Sequence, residues 1–413
     1  MKTGVHLIIL LFSGVICFLN HSFCQHSIQL KNGNWTGILY LQNGSEQLPF
    51  KVSISDSNST CLFKIINGQE QISLDQPFYK NDSIILGFPT FNSELILQKK
   101  SETQLEGYWI NKNKNSRLFC QLFAGYTQRF HNHVTPLSTT LQVTGKWETI
   151  FDQGTTNSYR GQALFNQDGV SVNGTIRTET GDYKFLEGNV SGDSIFLSRF
   201  DGAHVLLLKG KVNENQVTGY LYSGAMGKTP WYAKKNDSFE LSDPDSLTSV
   251  VTNVPVQFSL KQPSGKLYNY PNESTSNSVV IIELMGSWCP NCLDEAFYLK
   301  DVWEKYHDRG LTVLAIGYEI GDTFEQYSSR ITKLKDKLEL PYTLLVGGKA
   351  SKQLAGQQFP MLNHVMSFPT TIFIDKKGNI RKIHTGFNGP ATGSYYSEFK
   401  RETGNFIEKL LSE

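Results

Sequence analysis

The chain is poor in charge, and the charge that it has is balanced. Charged residues make up 19% of the 413 positions, and 39 Lys and Arg oppose 38 Asp and Glu, for a formal net charge of +1. A surface without a basic excess gives no electrostatic support for a nucleic-acid partner. Cysteine is scarce, with six residues, whereas aromatic residues reach 12% and glycine numbers 35. This balance argues against disorder or coiled coil and favours β-structure, and the length predicts two or three domains.

Long apolar runs are absent except at the N-terminus. Lys2 precedes an apolar run from Val5 to Leu19, which is too short to span a bilayer comfortably but fits the core of a signal peptide. We expect residues 1–24 to be removed after Cys24 and the protein to reach the periplasm or the outer cell envelope. A lipid anchor on Cys24 is the alternative, although Phe23 is a poor residue before such a cysteine. No later segment is apolar for 18 residues, which predicts a mature chain without a membrane span.

The next two hundred residues have the pattern of β-structure. From about position 25 to 235, short alternating runs such as Gly37–Leu41 are separated by turn signals such as Asn43-Gly44 and Asn173-Gly174. A spacing of about 8–12 residues between turns is typical of hairpins in a sandwich or barrel. The pattern predicts an all-β region.

This β region contains a tandem repeat. Gly33-Asn-Trp35 returns as Gly145-Lys-Trp147 at an offset of 112, and Leu105-Glu-Gly-Tyr108 returns as Val217-Thr-Gly-Tyr220 at the same offset. We therefore predict two β-modules, residues 25–133 and 141–236, each closed into a small barrel or sandwich because an open sheet leaves aggregation-prone edges. A spacer with a packed interior and a cargo-binding module both remain open.

Four cysteines remain after the leader, two of them in the first module. In an oxidising compartment Cys61 and Cys120 are expected to form a structural disulfide, with two buried thiols as the alternative. His131 and His133 lie in the connection between the modules without further ligands, so we predict a solvated loop and no metal site.

The sequence pattern changes in the last part of the chain. Residues 237–253 are polar and contain Pro244, which predicts a linker, and from 254 to 413 apolar strands alternate with amphipathic helices in βαβ fashion. The run Val279–Met285 is apolar except for Glu283, as expected for a central strand buried on both faces. A lone carboxylate in such a strand costs free energy unless it has a task.

The motif Trp288-Cys-Pro-Asn-Cys292 follows that strand and opens a helix. Cys292 begins a buried stripe, whereas Cys289 is expected at the exposed first turn, where unpaired amides favour an anion. The Cys289 thiolate could attack a partner's disulfide, and Cys292 is near enough to resolve the mixed disulfide. Glu283 is the candidate acceptor of the Cys292 proton.

Residues 254–413 resemble the thioredoxin superfamily, and more narrowly the TlpA/ResA-type thioredoxin-like proteins of bacterial envelopes. The matching residues are the Cys289/Cys292 motif, Glu283 in place of the buried Asp of thioredoxin, and Phe368-Pro-Thr370. The resemblance implies a cis peptide bond before Pro369, and a groove beside the dithiol in which Trp288, Phe368 and Pro369 contact the partner. It departs from the usual motif because Asn291, not proline, precedes Cys292, so the reduction potential cannot be transferred.

The fold class is therefore predicted as multidomain, with an all-β tandem repeat followed by an α/β thioredoxin-like domain. The leading functional hypothesis is an exported thiol–disulfide oxidoreductase without cofactors, most simply a reductase, whose partners are disulfide- or thiol-bearing envelope proteins and an upstream redox donor. A structural disulfide or a zinc half-site at Cys289 and Cys292 is disfavoured, because the loop is short and no second ligand pair is near. Alternatives are a ligand- or polypeptide-binding β-repeat protein with an accessory thioredoxin-like domain, and β-modules that gate access to the dithiol.

Overall fold

Three sheets account for the strands in the part of the chain that the structure describes. The computed structural model describes residues 29–57, 60–125, 129–130, 141–252 and 254–413. Two nine-stranded antiparallel sheets are followed by a seven-stranded mixed sheet that packs with helices. The predicted fold class is thereby confirmed. The expected signal peptide, Cys24, His131 and His133 lie outside the described residues.

The first β-module is an open antiparallel sheet with the strand order β4-β3-β2-β1-β9-β8-β7-β6-β5. Its strands alternate buried and half-exposed residues, as expected when one face packs on a core. The strands are β1 (Gly33–Leu41), β2 (Glu46–Ser57), β3 (Thr60–Asn67), β4 (Glu70–Ser73), β5 (Phe78–Lys80), β6 (Ser83–Gly87), β7 (Ser93–Ser101), β8 (Gln104–Asn111) and β9 (Ser116–Ala124).

The second β-module closes into a barrel. Its order is β11-β10-β18-β17-β16-β15-β14-β12-β13, and an additional pairing of β11 with β12 joins the two sides. The barrel interior is filled by an apolar cluster that includes Trp147, Phe151 and Trp231. The strands are β10 (Gly145–Phe151), β11 (Tyr159–Asp168), β12 (Ser171–Thr178), β13 (Gly181–Asp182), β14 (Leu186–Ser191), β15 (Ser194–Phe200), β16 (Val205–Asn213), β17 (Gln216–Ser223) and β18 (Gly227–Lys235).

The repeated Gly-x-Trp motif has the same local structure in both modules. Gly33 and Gly145 have φ angles of +114° and +126°, a region in which residues with a Cβ are strained. The Trp35 indole donates a 2.8 Å hydrogen bond to the Lys31 carbonyl, and the Trp147 indole donates one of 2.8 Å to the Val143 carbonyl. Each motif therefore anchors the first strand of its module by a buried indole.

The open first module is completed by the outer face of the second. Phe200, at the end of β15, packs its ring against Phe50 and Trp109 of the first module, with ring centroids 4.7 and 5.7 Å apart. The expectation that each module closes on itself thus holds for the second alone. In the first module, contact with β15 buries apolar side chains that closure of the sheet would otherwise have buried.

The structure does not form the expected disulfide between Cys61 and Cys120. Cys61 lies in β3 and Cys120 in β9, and the strand order places β2 and β1 between them. Neighbouring strands are about 4.8 Å apart, so three steps across the sheet exceed the usual Cα separation of a disulfide. Burial raises the pKa of the Cys120 thiol strongly. This corrects the disulfide prediction and agrees with the alternative that Cys120 is a buried thiol.

The C-terminal domain is a mixed sheet with the order β20-β19-β23-β22-β21-β24-β25 and helices between its parallel strands. β21, β22 and β23 are mutually parallel, whereas β24 and β25 run antiparallel to their neighbours. The strands are β19 (Phe258–Lys261), β20 (Leu267–Tyr270), β21 (Val279–Met285), β22 (Leu311–Glu319), β23 (Thr343–Lys349), β24 (Thr370–Ile374) and β25 (Ile380–Thr385), and the helices are α1 (Pro290–Tyr306), α2 (Phe324–Leu338), α3 (Lys352–Gln358) and α4 (Ser394–Ser412).

The polar segment before this domain is tied down to it. Asp245 accepts a 2.6 Å hydrogen bond from His384, and Thr385 donates one of 2.8 Å to Thr248. Within the described residues, none of the helices is both long enough and apolar enough to cross a bilayer.

Candidate active site

The two cysteines of the C-terminal domain lie where strand β21 passes into helix α1. Cys289 is the N-cap of the helix, with extended backbone, and Pro290 occupies the first turn, where a missing N–H removes no helical hydrogen bond. The amide of Cys292 donates to the Cys289 Sγ at 3.4 Å. This places the first sulfur at the N-terminus of the helix, the positive end of the helix dipole.

Cys289 is less accessible than its position at the helix start suggests. Its exposed fraction is 8%, and that of Cys292 is 0%. The expectation of an exposed Cys289 is therefore corrected, although the order of accessibility between the two sulfurs is as expected. The Cys289 sulfur contacts the Phe368 carbonyl and the Cys292 amide, and residues of both β-modules line the cavity at this helix end.

The loop before β24 contacts the first sulfur. The Phe368–Pro369 peptide bond is cis, and the Cys289 thiol donates to the Phe368 carbonyl at 3.5 Å. Trp288 packs edge-to-face on Phe368 with centroids 6.2 Å apart, and its indole donates to the Tyr318 carbonyl at 2.9 Å. The structure thus brings Trp288, Phe368 and Pro369 together beside Cys289.

Two buried carboxyl groups lie beneath the dithiol. Burial raises the pKa of Glu283 well above its ordinary value, and the charges of Glu295 and Cys289 raise it further. Both carboxyl oxygens of Glu283 lack a hydrogen-bond partner among the described residues. Burial also raises the pKa of Glu295 to about 8. Burial therefore disfavours the charged form of Glu283, and a second acid of raised pKa lies beside it.

These carboxyl groups are linked through the sheet to the second cysteine. Glu283 pairs in register with Thr371 of β24, and the Thr371 hydroxyl donates to Glu295 at 2.8 Å. Burial raises the pKa of Cys292 well above its ordinary value, and Cys289 and then Glu283 add to the effect. Burial thus raises the pKa of the sulfur and of both carboxyl groups, so all three favour their protonated forms in this interior.

A third buried acid holds the turn that precedes the dithiol. The Ser287 amide and hydroxyl donate to the two oxygens of Glu319 at 2.8 and 2.7 Å. Burial raises the pKa of Glu319 to about 7, while the bonds from Ser287 oppose that rise. Glu319 therefore fixes the backbone from which Trp288 and Cys289 project.

The second β-module touches the dithiol loop directly. Asn291 lies between the two cysteines in the sequence. A Cβ added to Gly181 would lie 1.9 Å from the Asn291 Nδ2. The Gly389 amide donates to the buried Asp182 at 2.9 Å. The turn of residues 178–182, which we call the roof turn, is thus seated on the C-terminal domain.

A buried lysine joins all three parts of the chain. Lys184 of the second module lies 2.7 Å from Asp294 on helix α1 and 3.1 Å from Glu70 of the first module. Arg199 pairs with the same Glu70 at 2.8 Å and with Asp201 at 2.9 Å. Burial raises the pKa of Asp294 to about 6, against the lowering effect of Lys184.

A cavity of about 490 Å³ remains between the modules and the dithiol. Its floor includes Trp288, Cys289 and Asn291, and its walls come from both modules. No group of three His, Cys, Asp or Glu side chains suited to a metal ion occurs within the ranges that the structure describes.

The structure collects all predicted residues of the C-terminal domain at one place, namely Glu283, Trp288, Cys289, Cys292, Phe368 and Pro369. Sequence reasoning missed Glu295 and Glu319. Glu295 had a usable signal, because it lies three residues after Cys292 on the helix face that also carries the buried Leu299. Nothing local marked Glu319 or the module residues.

Comparison with known proteins identifies the C-terminal region. Residues 251–397 match the family model described as Redoxin. The match leaves the two β-modules outside it.

Curated relatives cover the same region. The chain is 26% identical over 129 residues to the thioredoxin-like protein YneN of Bacillus subtilis, covering 31% of this chain and 68% of that protein. It is 27% identical over 109 residues to the thiol-disulfide oxidoreductase ResA of Geobacillus thermodenitrificans, covering 26% of this chain and 54% of that protein. The chain thus spans about half the length of that relative. Among solved structures, StoA from Bacillus subtilis is 18% identical, with a TM-score of 0.27, over 37% of this chain and 99% of that one.

Proposed function

We propose, taking as premise the thioredoxin-like Redoxin domain at residues 251–397, that the protein is an exported thiol–disulfide oxidoreductase that reduces disulfides of envelope polypeptides. The observation that carries the proposal is the geometry of the dithiol, with Cys289 at a helix start beside a cavity and Cys292 buried behind it. Relatives named thiol-disulfide oxidoreductases support the same chemistry.

The first step is attack by the Cys289 thiolate on one sulfur of a substrate disulfide. An S–S bond forms between Cys289 and that sulfur, the substrate S–S bond breaks, and the second substrate sulfur leaves as a thiolate that takes up a proton. The helix N-terminus supports the anionic nucleophile, and the Phe368 carbonyl accepts from its thiol before ionisation.

The second step releases the other half of the substrate. Cys292 loses its proton and attacks the Cys289 Sγ, which forms the Cys289–Cys292 disulfide and expels the remaining substrate thiolate. We assign the proton exchange to Glu283, assisted by Glu295, in molecules where this pair has given up one proton. Two electrons pass from the dithiol to the substrate, and the two thiol hydrogens of the protein end on the two product thiols.

Export and the redox partner are further parts of the proposal. The apolar run from Val5 to Leu19 after Lys2 supports secretion through a leader of residues 1–24. Regeneration of the dithiol then requires an extracytoplasmic dithiol donor, for which dithiothreitol substitutes in an assay. Detection of the mature chain in the envelope fraction, without residues 1–24, tests export.

The alternative of a cargo-binding β-repeat protein has less support. A barrel that carries cargo needs interior space, whereas Trp147, Phe151 and Trp231 belong to the apolar cluster that fills the second barrel. The cavity beside Cys289 instead favours β-modules that serve the dithiol.

The test uses the full mature chain, reduced beforehand and freed of excess reductant. Mixed with hydroxyethyl disulfide, the wild type is expected to release two product thiols per molecule. The Cys289→Ser variant should release none, and Cys292→Ser should release one and retain a mixed disulfide at Cys289 detectable by mass. Release of two thiols by Cys289→Ser, or none by the wild type, contradicts the proposal.

A further inference from the structure

We infer that the β-modules form the substrate-binding site of this enzyme, and that the site takes a disulfide on a short flexible polypeptide segment with uncharged neighbours. The inference rests on the proposed function and adds the substrate class. It is carried by the cavity above Cys289, whose walls come from both modules and not from the C-terminal domain alone.

The first module contributes a wall of side-chain amides. Asn111 accepts from the amides of Asn113 and Lys114 at 3.0 and 3.1 Å, and Asn92 donates to the Asn113 side chain at 3.0 Å. All four residues line the cavity. These bonds hold the loop after β8 in one shape, so the wall is organised before any substrate arrives.

The second module contributes hydroxyl groups and the roof turn. Tyr159 and Tyr183 share a 2.6 Å hydrogen bond between their hydroxyls, and both line the cavity with Thr178 and Thr180. Amides and hydroxyls can both donate to and accept from a peptide backbone, whereas recognition of a charged substrate needs opposite charges. Apart from Lys114, Asp182 and His204, the lining residues outside the dithiol carry no ionic side chain.

The cavity floor contains a residue whose side-chain oxygen lacks a hydrogen-bond partner among the described residues. The buried Oδ1 of Asn291 lacks a hydrogen-bond partner among the described residues, and Asn291 lines the cavity beside Cys289. Its Nδ2 is the atom that faces Gly181. The isolation of this oxygen costs free energy, in a residue that lines the cavity and lies between the two cysteines in the sequence.

The volume of the cavity limits the size of the substrate. About 490 Å³ lies within the range of about 300–1,000 Å³ that is typical of small-ligand pockets, and it cannot admit a folded domain. The roof does not hang free, because Asp182 is bonded to Gly389 and Lys184 is paired with Asp294. A disulfide on the rigid surface of a folded protein would meet the roof before it reached Cys289.

The first experiment compares substrates of increasing size with the full reduced chain in single turnover. The substrates are hydroxyethyl disulfide, a short uncharged peptide with one internal disulfide, and a small folded protein with one exposed disulfide. Each rate is divided by the rate at which dithiothreitol reduces the same substrate. Dithiothreitol has no roof turn, so this ratio removes differences in the intrinsic reactivity of the disulfides. We expect this ratio to be at least about ten-fold higher for the peptide than for the folded protein, because misplacement of reacting groups carries such costs. Equal ratios overturn the inference.

The second experiment narrows the cavity without touching the dithiol. Thr180 is an exposed residue of the roof turn that lines the cavity, and Thr218 is an exposed residue of β17 that does not. Thr180→Trp should slow the peptide by about ten-fold and hydroxyethyl disulfide far less, because only the larger substrate needs the filled space. The matched Thr218→Trp should change neither rate by more than about two-fold, as is usual for surface substitutions.

The outcomes separate the two proposals. Equal slowing of both substrates by Thr180→Trp, or no slowing of either, overturns the binding site. Failure of the wild type to reduce even hydroxyethyl disulfide overturns the proposed function itself.

Discussion

Gly181 of the second β-module is in contact with Asn291, the residue that precedes the second cysteine of the dithiol motif. A Cβ at position 181 would lie 1.9 Å from the Asn291 Nδ2, a distance that real Cβ contacts do not reach. Only glycine permits this approach, and its φ of +131° also requires glycine. The roof turn and the active-site loop are thus fitted to one another.

Gly181→Ala should lift the roof turn. We expect a loss of about 1–3 kcal/mol in the free energy of unfolding, from backbone strain and from the clash with Asn291. Alkylation of Cys289 in the reduced protein should become faster, measured by iodoacetamide labelling and mass spectrometry. Gly169→Ala is the matched control, since Gly169 has a φ of +57° and no atom near its added Cβ. Unchanged labelling despite lower stability would show that the turn does not shield Cys289.

Removal of Lys184 should weaken the contact between the β-modules and helix α1. Lys184→Met leaves the carboxylate of Asp294 buried without its partner, which is expected to cost about 3–5 kcal/mol in urea unfolding. The double variant Lys184→Met, Asp294→Leu should recover part of this loss, because no unpaired charge remains. Lys211→Met, which breaks an exposed pair with Asp193, should lower the free energy of unfolding far less than Lys184→Met does. Equal losses of stability in Lys184→Met and Lys211→Met would contradict a stabilising buried ion pair between Lys184 and Asp294.

Stability should fall as the pH rises, because of Glu295. The pKa of this buried carboxyl is about 8, against an ordinary 4.5 in the unfolded chain. The unfolded state therefore loses its proton first, so the contribution of Glu295 to stability is greatest below about pH 4.5 and declines until about pH 8. Glu295→Gln should flatten the decline of the urea midpoint across this range. Glu304→Gln, at an exposed position of the same helix, should retain the wild-type slope.

The absence of a Cys61–Cys120 bond can be tested in a Cys289→Ser, Cys292→Ser background. The free energy of unfolding of that variant should be the same with and without dithiothreitol. A disulfide between Cys61 and Cys120 would instead add about 2–4 kcal/mol in the oxidised sample. A cross-linked peptide containing both residues would restore the original prediction.

Much of the active site was predictable from local sequence. The apolar strand of Val279–Met285 and the following Cys289-Pro290 helix start each carry their pattern within a few residues, whereas Phe368 and Pro369 were assigned to the site by the resemblance to thioredoxin-like proteins. Local patterns of this kind specify strand burial and helix capping directly. Even Glu283 could be singled out, because a carboxylate inside an apolar strand is conspicuous.

The arrangement of the two β-modules could not be predicted from local sequence. The repeat of Gly33-Asn-Trp35 and Gly145-Lys-Trp147 predicts two similar units, and both indoles are anchored alike. It does not predict that one sheet closes while the other remains open around Phe200. The expected Cys61–Cys120 bond was inferred from an oxidising compartment, and it was wrong because the strand order that separates the two residues is not visible in the spacing of cysteines.

By itself, the sequence determined the local structure around the dithiol, because a helix start, a buried strand and an acid within that strand are set within short stretches of chain. Only the tertiary structure decided how the dithiol is reached. Lys184, Gly181 and Asn111 meet the dithiol across separations of about one hundred residues or more. Their contacts depend on how three sheets pack, which is governed by the summed burial of side chains from all three and not by any local pattern.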